Sequence, residues 1–134
     1  MSAQTKEIFL KDYKEANYLV STINLEVDIH EEETLVTNTT CFELNTTNND
    51  NSLELDGAGL ELKSIWIDGV ELSCDKYQVD EKKLYLKGLP TKFELKTKVI
   101  VDPAKNFSGE GFYQSGDIYC TQCEAEGFRR ITYY

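Results

Sequence analysis

Strict alternation of apolar and polar residues is the feature that most constrains the fold of this chain. From Ile23 to Ile29 every odd position is aliphatic and every even position is polar, in the order Ile-Asn-Leu-Glu-Val-Asp-Ile. Because successive side chains of a β-strand point to opposite sides, this pattern predicts a strand with one buried face and one face in water. Residues 34–44, rich in Thr, Val and Phe, are expected to form a second strand, joined to the first by a polar hairpin turn at 30–33.

The chain then continues as short strands separated by turn residues. After a polar loop at 45–52, strands are predicted at residues 53–55, 60–67, 70–72, 77–79, 84–86 and 93–101. Turn signals about every 8–12 residues, without helical periodicity, predict an all-β protein, built as an antiparallel β-sandwich or a saddle-shaped sheet. We expect residues 1–134 to form a single domain, in which residues 106–117 are more loop than strand because they contain three glycines.

Charge and hydropathy exclude several classes of partner. The chain has 14 Lys and Arg against 24 Asp and Glu, a formal net charge of −10 at pH 7. Because a nucleic-acid backbone is repelled by such a field, and the basic residues cluster only at Arg129-Arg130, we expect no nucleic-acid binding. No apolar run approaches the roughly 20 residues of a membrane span, and residues 1–10 lack the apolar core of a secretory signal. These features predict no membrane association and a cytoplasmic location.

The candidate metal and redox motifs are weak. His30 begins a His-Glu-Glu-Glu-Thr segment, but the zinc-peptidase motif needs a second histidine one helical turn later, and the chain has one histidine in total. The four cysteines are expected to be reduced thiols, buried or half-buried. Two alternatives stay open for Cys120-x-x-Cys123, a redox pair or a zinc site completed by Cys41 and Cys74, although neither has its usual sequence context. We therefore assign no metal ligand to this chain.

Gln122 and Glu124, which are interleaved with these cysteines, form the candidate binding site. If residues 120–125 are extended, the two side chains point to one face and Cys123 points to the other. A carboxylate accepts a charge-assisted hydrogen bond from an ammonium group, and a neighbouring amide can fix its orientation. The pair therefore suits a cationic amine. A solvated strand face is the alternative interpretation, and spacing alone does not exclude it.

The segment from Gly111 to Tyr134 reads GFYQSGDIYCTQCEAEGFRRITYY. It resembles the N-terminal domain of the bacterial aminopeptidase N family of zinc gluzincin aminopeptidases, in which a GLYQSG stretch precedes CTQCEAEGFR-ITYY. Residues 10–29, LKDYKEANYLVSTINLEVDI, are similar to the family's opening segment, and residues 88–96, GLPTKFELK, are similar to one of its turns.

The resemblance implies roles for specific residues. It implies that Glu124 helps to hold the free α-amino group of a peptide substrate and that Gln122 contacts the first residue of the peptide. It also implies that the zinc ligands and all catalytic residues lie outside this chain, which would be inactive alone. The implied function is the N-terminal substrate-recognition and scaffold portion of a zinc aminopeptidase, packed on the enzyme's own catalytic domain through an exposed apolar surface. A non-catalytic β-sandwich interaction module is the alternative.

Overall fold

The computed structural model describes residues 7–47 and 49–134. Its ten β-strands are β1 Tyr18–Ile29, β2 Thr34–Leu44, β3 Leu53–Asp56, β4 Glu61–Ile67, β5 Val70–Glu71, β6 Tyr77–Val79, β7 Lys83–Leu86, β8 Lys92–Val101, β9 Gly111–Ser115 and β10 Ile118–Gln122. Three 3-10 helices complete the described part of the chain: η1 Leu10–Asp12, η2 Pro103–Lys105 and η3 Gly127–Arg130. None of these helices is long and apolar enough to cross a membrane. The all-β prediction is confirmed.

The strand predictions agree with the structure up to residue 101. β2 has the predicted bounds, β1 begins five residues earlier than expected at Tyr18, and the other predicted strands differ by at most one residue at either end. The turn of the first hairpin closes where it was predicted, because the His30 backbone N–H donates to the Glu33 carbonyl at 2.9 Å.

The loop prediction for residues 106–117 is wrong in part. β9 and β10 form an antiparallel hairpin there, joined by the two residues Gly116 and Asp117. Gly116 has a φ of +61°, which glycine adopts without strain, and a Gly-Asp pair between two strands is a recognised signal for a tight turn. The sequence therefore contained the hairpin signal, and the glycine count obscured it.

Two antiparallel sheets pack on one core, as expected for a β-sandwich. The larger sheet has the strand order β1-β2-β8-β4-β5 and the smaller has the order β3-β7-β6, whereas β9 and β10 form a separate pair. Alternate residues of β2 and β8 are buried, which places one face of the larger sheet in the core. The core side chains include Val36, Phe42, Ile65, Leu84, Leu86, Phe93, Leu95 and Val99.

The strand with the clearest alternation does not have the buried face that its pattern predicts. Val20, Ile23, Val27 and Ile29 of β1 are each 40–44% exposed. Their register with β2 places them on the core side of the larger sheet, so the division into two faces is correct. The second layer that buries the core side of β2 and β8 does not extend over β1, which is the edge strand of this sheet.

The last residues attach the C-terminal segment to both sheets. Ile131, Thr132 and Tyr133 are buried. The Asn38 side chain in β2 donates to the Tyr133 carbonyl at 3.3 Å. Tyr134 and Asp56 exchange two backbone hydrogen bonds of 2.9 and 3.1 Å, which adds the segment to the edge of β3. The segment that follows Gln122 and Glu124 is thus fixed to the core a few residues later.

Candidate functional site

Gln122 and Glu124 lie where the second hairpin ends. Gln122 is the last residue of β10, and Glu124 begins the turn at residues 124–126 that leads into η3. The premise that residues 120–125 are extended is therefore wrong, because a hydrogen bond from the Gly127 N–H to the Cys123 carbonyl, 2.9 Å long, closes a turn there. The structure still brings the two residues together. The Glu124 backbone N–H donates to Gln122 Oε1 at 3.1 Å.

Two glycines allow this turn to lie close against the hairpin. A Cβ at Gly127 would overlap the backbone carbonyl oxygen of Gln122, so no larger residue fits without moving the end of β10. Gly111 is the cross-strand partner of Gln122, and it has a φ of +73°. A Cβ there would in turn overlap the side chain of Arg130. Only glycine permits the close approach at Gly127, and only glycine permits the close approach together with the positive φ at Gly111, so these two residues determine where Gln122 stands.

Arginines of η3 neutralise the neighbouring carboxylates. Arg129 Nη1 lies 2.5 Å from Glu126 Oε2, and Arg130 Nε lies 3.3 Å from Glu110 Oε2. Within the described ranges, no ion pair and no side-chain hydrogen bond involves the carboxylate of Glu124, which is exposed. The turn thus holds one carboxylate whose charge is available to a cation from outside.

The Gln122 side chain complements this carboxylate. Its Oε1 accepts the Glu124 N–H, which orients the amide, and no described residue accepts a hydrogen bond from its Nε2. A free amide donor beside a free carboxylate offers one hydrogen bond to an acceptor and a charge-assisted one to a donor. That combination matches a ligand that carries an ammonium group next to a carbonyl.

The arginine pairs were not anticipated from the sequence, which suggested only a small basic cluster. The signal was the spacing of Glu126 and Arg129, three residues apart, a distance at which helical side chains meet. The pairing of Arg130 with Glu110 had no comparable signal, because it depends on how β9 packs against η3.

All four cysteines are free thiols. Cys41 and Cys120 are half-buried, whereas Cys74 and Cys123 are exposed, so the expectation of buried or half-buried thiols is wrong for two of them. The exposed pair lies outside the strands, where no second layer covers the side chains. Among residues 7–47 and 49–134, no group of three or more His, Cys, Asp or Glu side chains is placed to hold a metal ion. His30 instead pairs with Asp28 at 3.0 Å, beside the first hairpin turn.

Comparison with known proteins finds similar sequences among bacterial aminopeptidases. No family model matches the chain. Aminopeptidase N of Caulobacter vibrioides is 41% identical over 128 residues, which cover 93% of this chain and 14% of the relative. The corresponding protein of Haemophilus influenzae is 42% identical over 133 residues, 96% of this chain and 15% of the relative. Aminopeptidase N of Escherichia coli is 37% identical over 134 residues, all of this chain and 15% of the relative.

This chain is homologous to the N-terminal part of bacterial aminopeptidase N. It spans 14–15% of the length of these aminopeptidase N relatives. A solved structure of Legionella pneumophila aminopeptidase A in complex with aspartic acid superposes with a TM-score of 0.85 at 25% identity, over 92% of this chain and 15% of that one. Native yeast LTA4 hydrolase shares the fold, with a TM-score of 0.69 at 16% identity over 87% of this chain and 20% of its own.

Proposed function

We propose that this chain is the N-terminal substrate-recognition and scaffold domain of a longer zinc aminopeptidase, which removes N-terminal amino acids from peptides. The observation that carries the proposal is the unpaired Glu124 carboxylate beside the oriented amide of Gln122, in a chain homologous to the N-terminal part of bacterial aminopeptidase N. The partners of the domain are then a peptide with a free N-terminus and the catalytic domain of the same enzyme.

In this proposal the two side chains read the amino end of the peptide. Glu124 accepts hydrogen bonds from the α-ammonium group, and Gln122 Nε2 donates to the carbonyl oxygen of the first residue. An internal peptide bond offers no ammonium group, so the pair would select for the chain end. A hydrogen bond to a charged group contributes about 1.5–3 kcal/mol when it is shielded from water, but an exposed ion pair contributes only about 0–1 kcal/mol. Because Glu124 is exposed here, full selectivity requires the catalytic domain to cover the site.

The zinc ion of the proposed enzyme belongs to another part of the polypeptide. The described residues offer no ligand set for it. When bound in the catalytic domain, zinc would activate water and polarise the scissile carbonyl. The part assigned to this chain is to hold and orient the amino end, so the 134 residues alone should hydrolyse no peptide. We also place the enzyme in the cytoplasm, where free thiols remain reduced.

Steady-state kinetics of the full-length enzyme test the role of Glu124. Glu124→Ala removes the acceptor of the ammonium group, so kcat/KM for an unblocked peptide should fall roughly 10- to 100-fold. The ratio of kcat/KM for a peptide with a free N-terminus to kcat/KM for its N-acetylated form should decrease as well. Glu126→Gln is the matched control, because it changes a carboxylate two residues away that pairs with Arg129, and it should change kcat/KM little. Unchanged kinetics for Glu124→Ala would show that the assigned role is wrong.

The reading frame separates this function from a free-standing β-sandwich interaction module. A His-Glu-x-x-His sequence encoded within a few hundred codons downstream of Tyr134 supports the aminopeptidase, because two histidines one helical turn apart can bind one zinc ion. A stop codon directly after Tyr134 would favour the interaction module.

A further inference from the structure

A cleft of about 340 Å³ lies between η2, the start of β9, η3 and the loop that follows β3. Its floor is apolar, because Val101 and Phe112, which are only 4% and 7% exposed, line it. Phe107 also lines it and exposes its ring to solvent. Lys105 and Arg130 supply positive groups. Pockets that bind small molecules typically measure roughly 300–1,000 Å³ and combine apolar walls with a few polar groups, so this cleft has the size and lining of a ligand site.

The guanidinium group of Arg130 has one edge that no described residue occupies. Its Nε lies 3.3 Å from Glu110 Oε2, whereas Nη1 and Nη2 make no hydrogen bond within residues 7–47 and 49–134. Gly59 leaves the space beside this edge open, because it has no side chain and even a Cβ built there would lie 3.8 Å from Nη1. Both residues line the cleft, so the open edge faces it. Such an edge binds a carboxylate through two parallel hydrogen bonds, a geometry that arginine provides and lysine does not.

The charges that line the cleft favour an anion. Among its described lining residues, Lys105 and Arg130 are positive and Asp102 is negative, a net charge of +1 in a chain whose net charge is −10. The Asp102 carboxylate is already paired with Lys105 Nζ at 3.0 Å. An anion that enters therefore meets one open guanidinium edge and no unpaired carboxylate of the lining. One such edge suits a single carboxylate, and the apolar floor suits a hydrocarbon group attached to it.

Hydrogen bonds hold the walls of the cleft in place. Asn106 Nδ2 donates to the backbone carbonyls of Glu110 and Phe112 at 2.7 and 2.8 Å, which fixes the loop between η2 and β9. On the other side of the cleft, the Ala58 N–H donates to the Arg129 carbonyl at 2.9 Å, which fixes the loop after β3 against η3. Walls that are ordered before binding lose little conformational entropy when a ligand binds. The cleft is therefore a preformed site.

We propose that this cleft binds a small carboxylic acid that carries an aromatic or branched aliphatic group. The carboxylate accepts two hydrogen bonds from the Nη1 and Nη2 atoms of Arg130, and the apolar group packs on Val101 and Phe112. The site is separate from the candidate site at the end of β10, because neither Gln122 nor Glu124 lines the cleft. The inference goes beyond the proposed function and does not depend on it, since every residue it uses belongs to this chain.

Isothermal titration of the full-length protein with phenylacetate tests the inference. Phenylacetate joins one carboxylate to one aromatic ring, and phenylacetamide, which has nearly the same shape without the charge, should bind at least about tenfold more weakly. Arg130→Gln removes the guanidinium group and should raise the Kd for phenylacetate by at least about tenfold. Glu110→Gln is the matched control. It breaks the same ion pair but keeps the guanidinium group, so it should bind phenylacetate at least as tightly as the wild type does.

Two titration results would overturn the inference. One is the absence of phenylacetate binding to the wild type at concentrations up to about 10 mM, and the other is an equal Kd for the wild type and Arg130→Gln.

Hydrogen exchange of the wild-type protein gives the same decision without a substitution, should a variant fail to fold. Phenylacetate should slow exchange of the amides in residues 104–112 and leave those in residues 118–126 unchanged. Protection of residues 118–126 alone would assign the ligand to the site of Gln122 and Glu124 and would contradict the inference. Neither measurement requires peptide hydrolysis, so an inactive protein that binds phenylacetate in the cleft contradicts only the proposed function.

Discussion

Gly127 shows how one absent side chain positions the candidate site. Gly127→Ala would force its Cβ against the backbone oxygen of Gln122, and backbone cannot move aside as a flexible side chain does. Overpacking of this kind costs about 1–3 kcal/mol of unfolding free energy. In the full-length enzyme the displaced end of β10 should also raise KM for peptides.

Urea unfolding and peptide kinetics check this prediction together. Ser115→Ala is the control, because Ser115 is exposed at the other end of the same hairpin and should leave both measurements nearly unchanged. If Gly127→Ala had the stability and KM of the wild type, the close approach of Gly127 to Gln122 would not determine the site.

Tyr133 predicts how stability depends on alkaline pH. Burial, with smaller contributions from Asp80 and Tyr77, raises the pKa of Tyr133 above its ordinary value of 10.0. The folded state therefore favours the neutral phenol, and the resulting stability is fully present below pH 10.0. It is lost as the pH rises through the higher folded pKa, because the unfolded chain ionises first.

Urea unfolding from about pH 9 to about pH 11 measures this effect. The unfolding free energy of the wild type should fall more steeply over this range than that of Tyr133→Phe, which has no ionisable group at the position. Parallel curves for the two proteins would contradict the prediction. Tyr18, whose pKa burial also raises, should contribute a slope of the same sign in both proteins.

The sequence nominated Gln122 and Glu124 as candidate site residues, but it did not give their geometry. An amide and a carboxylate suit an amine, the resemblance of residues 111–134 to the aminopeptidase N family implied their roles, and the structure places the two residues next to each other. The expected extended backbone was wrong, because the turn depends on a glycine three residues beyond Glu124 and on its contact with the end of β10. Such contacts form between separate structural elements, so short-range sequence patterns do not predict them.

At the scale of elements, the turn between β4 and β5 offers a direct test of backbone strain. Asp68 and Gly69 have φ values of 48° and 79°, the left-handed region that hairpin turns of two residues require. No atom lies within 4 Å of a Cβ built at Gly69, so Gly69→Ala introduces backbone strain without a clash. We expect it to lower the unfolding free energy by roughly 1–2 kcal/mol.

Asp68→Asn is the matched variant for this turn. Asparagine tolerates a positive φ, and its Oδ1 can still accept the Glu94 N–H, as the aspartate does at 2.9 Å. Urea unfolding should place it within about 0.5 kcal/mol of the wild type. If Gly69→Ala and Asp68→Asn lowered the unfolding free energy by similar amounts, the positive φ values of the turn would not explain the loss.

Periodicity predicted the strands well and their burial less well. The alternation in β1 identified a strand and its two faces, because it depends only on the direction of successive side chains. Whether the apolar face is buried depends on a second layer, which covers β2 and leaves β1 exposed. The strand β9 was missed for a local reason, since its three neighbouring or internal glycines, Gly109, Gly111 and Gly116, indicated a loop and obscured the Gly-Asp turn signal.

At the scale of the whole molecule, attraction between the exposed apolar faces of β1 opposes the electrostatic repulsion between copies of the chain. Copies of a chain with a net charge of −10 repel each other, whereas the apolar faces attract once water is displaced. Screening lengths fall from about 30 Å at 0.01 M salt to about 8 Å at 0.15 M, so added salt should weaken the repulsion and leave the attraction. The 134-residue chain should therefore self-associate increasingly as salt is raised.

Sedimentation velocity across a salt and concentration series measures this association. The double variant Ile23→Glu/Val27→Glu, which places charge on the apolar face of β1, should remain monomeric at salt concentrations where the wild type associates. The double variant Thr22→Glu/Asn24→Glu adds the same two charges to the opposite face and should associate more readily than Ile23→Glu/Val27→Glu, with circular dichroism confirming that each variant remains folded. If both double variants reduced association equally, the association would depend on net charge alone and not on the apolar face of β1.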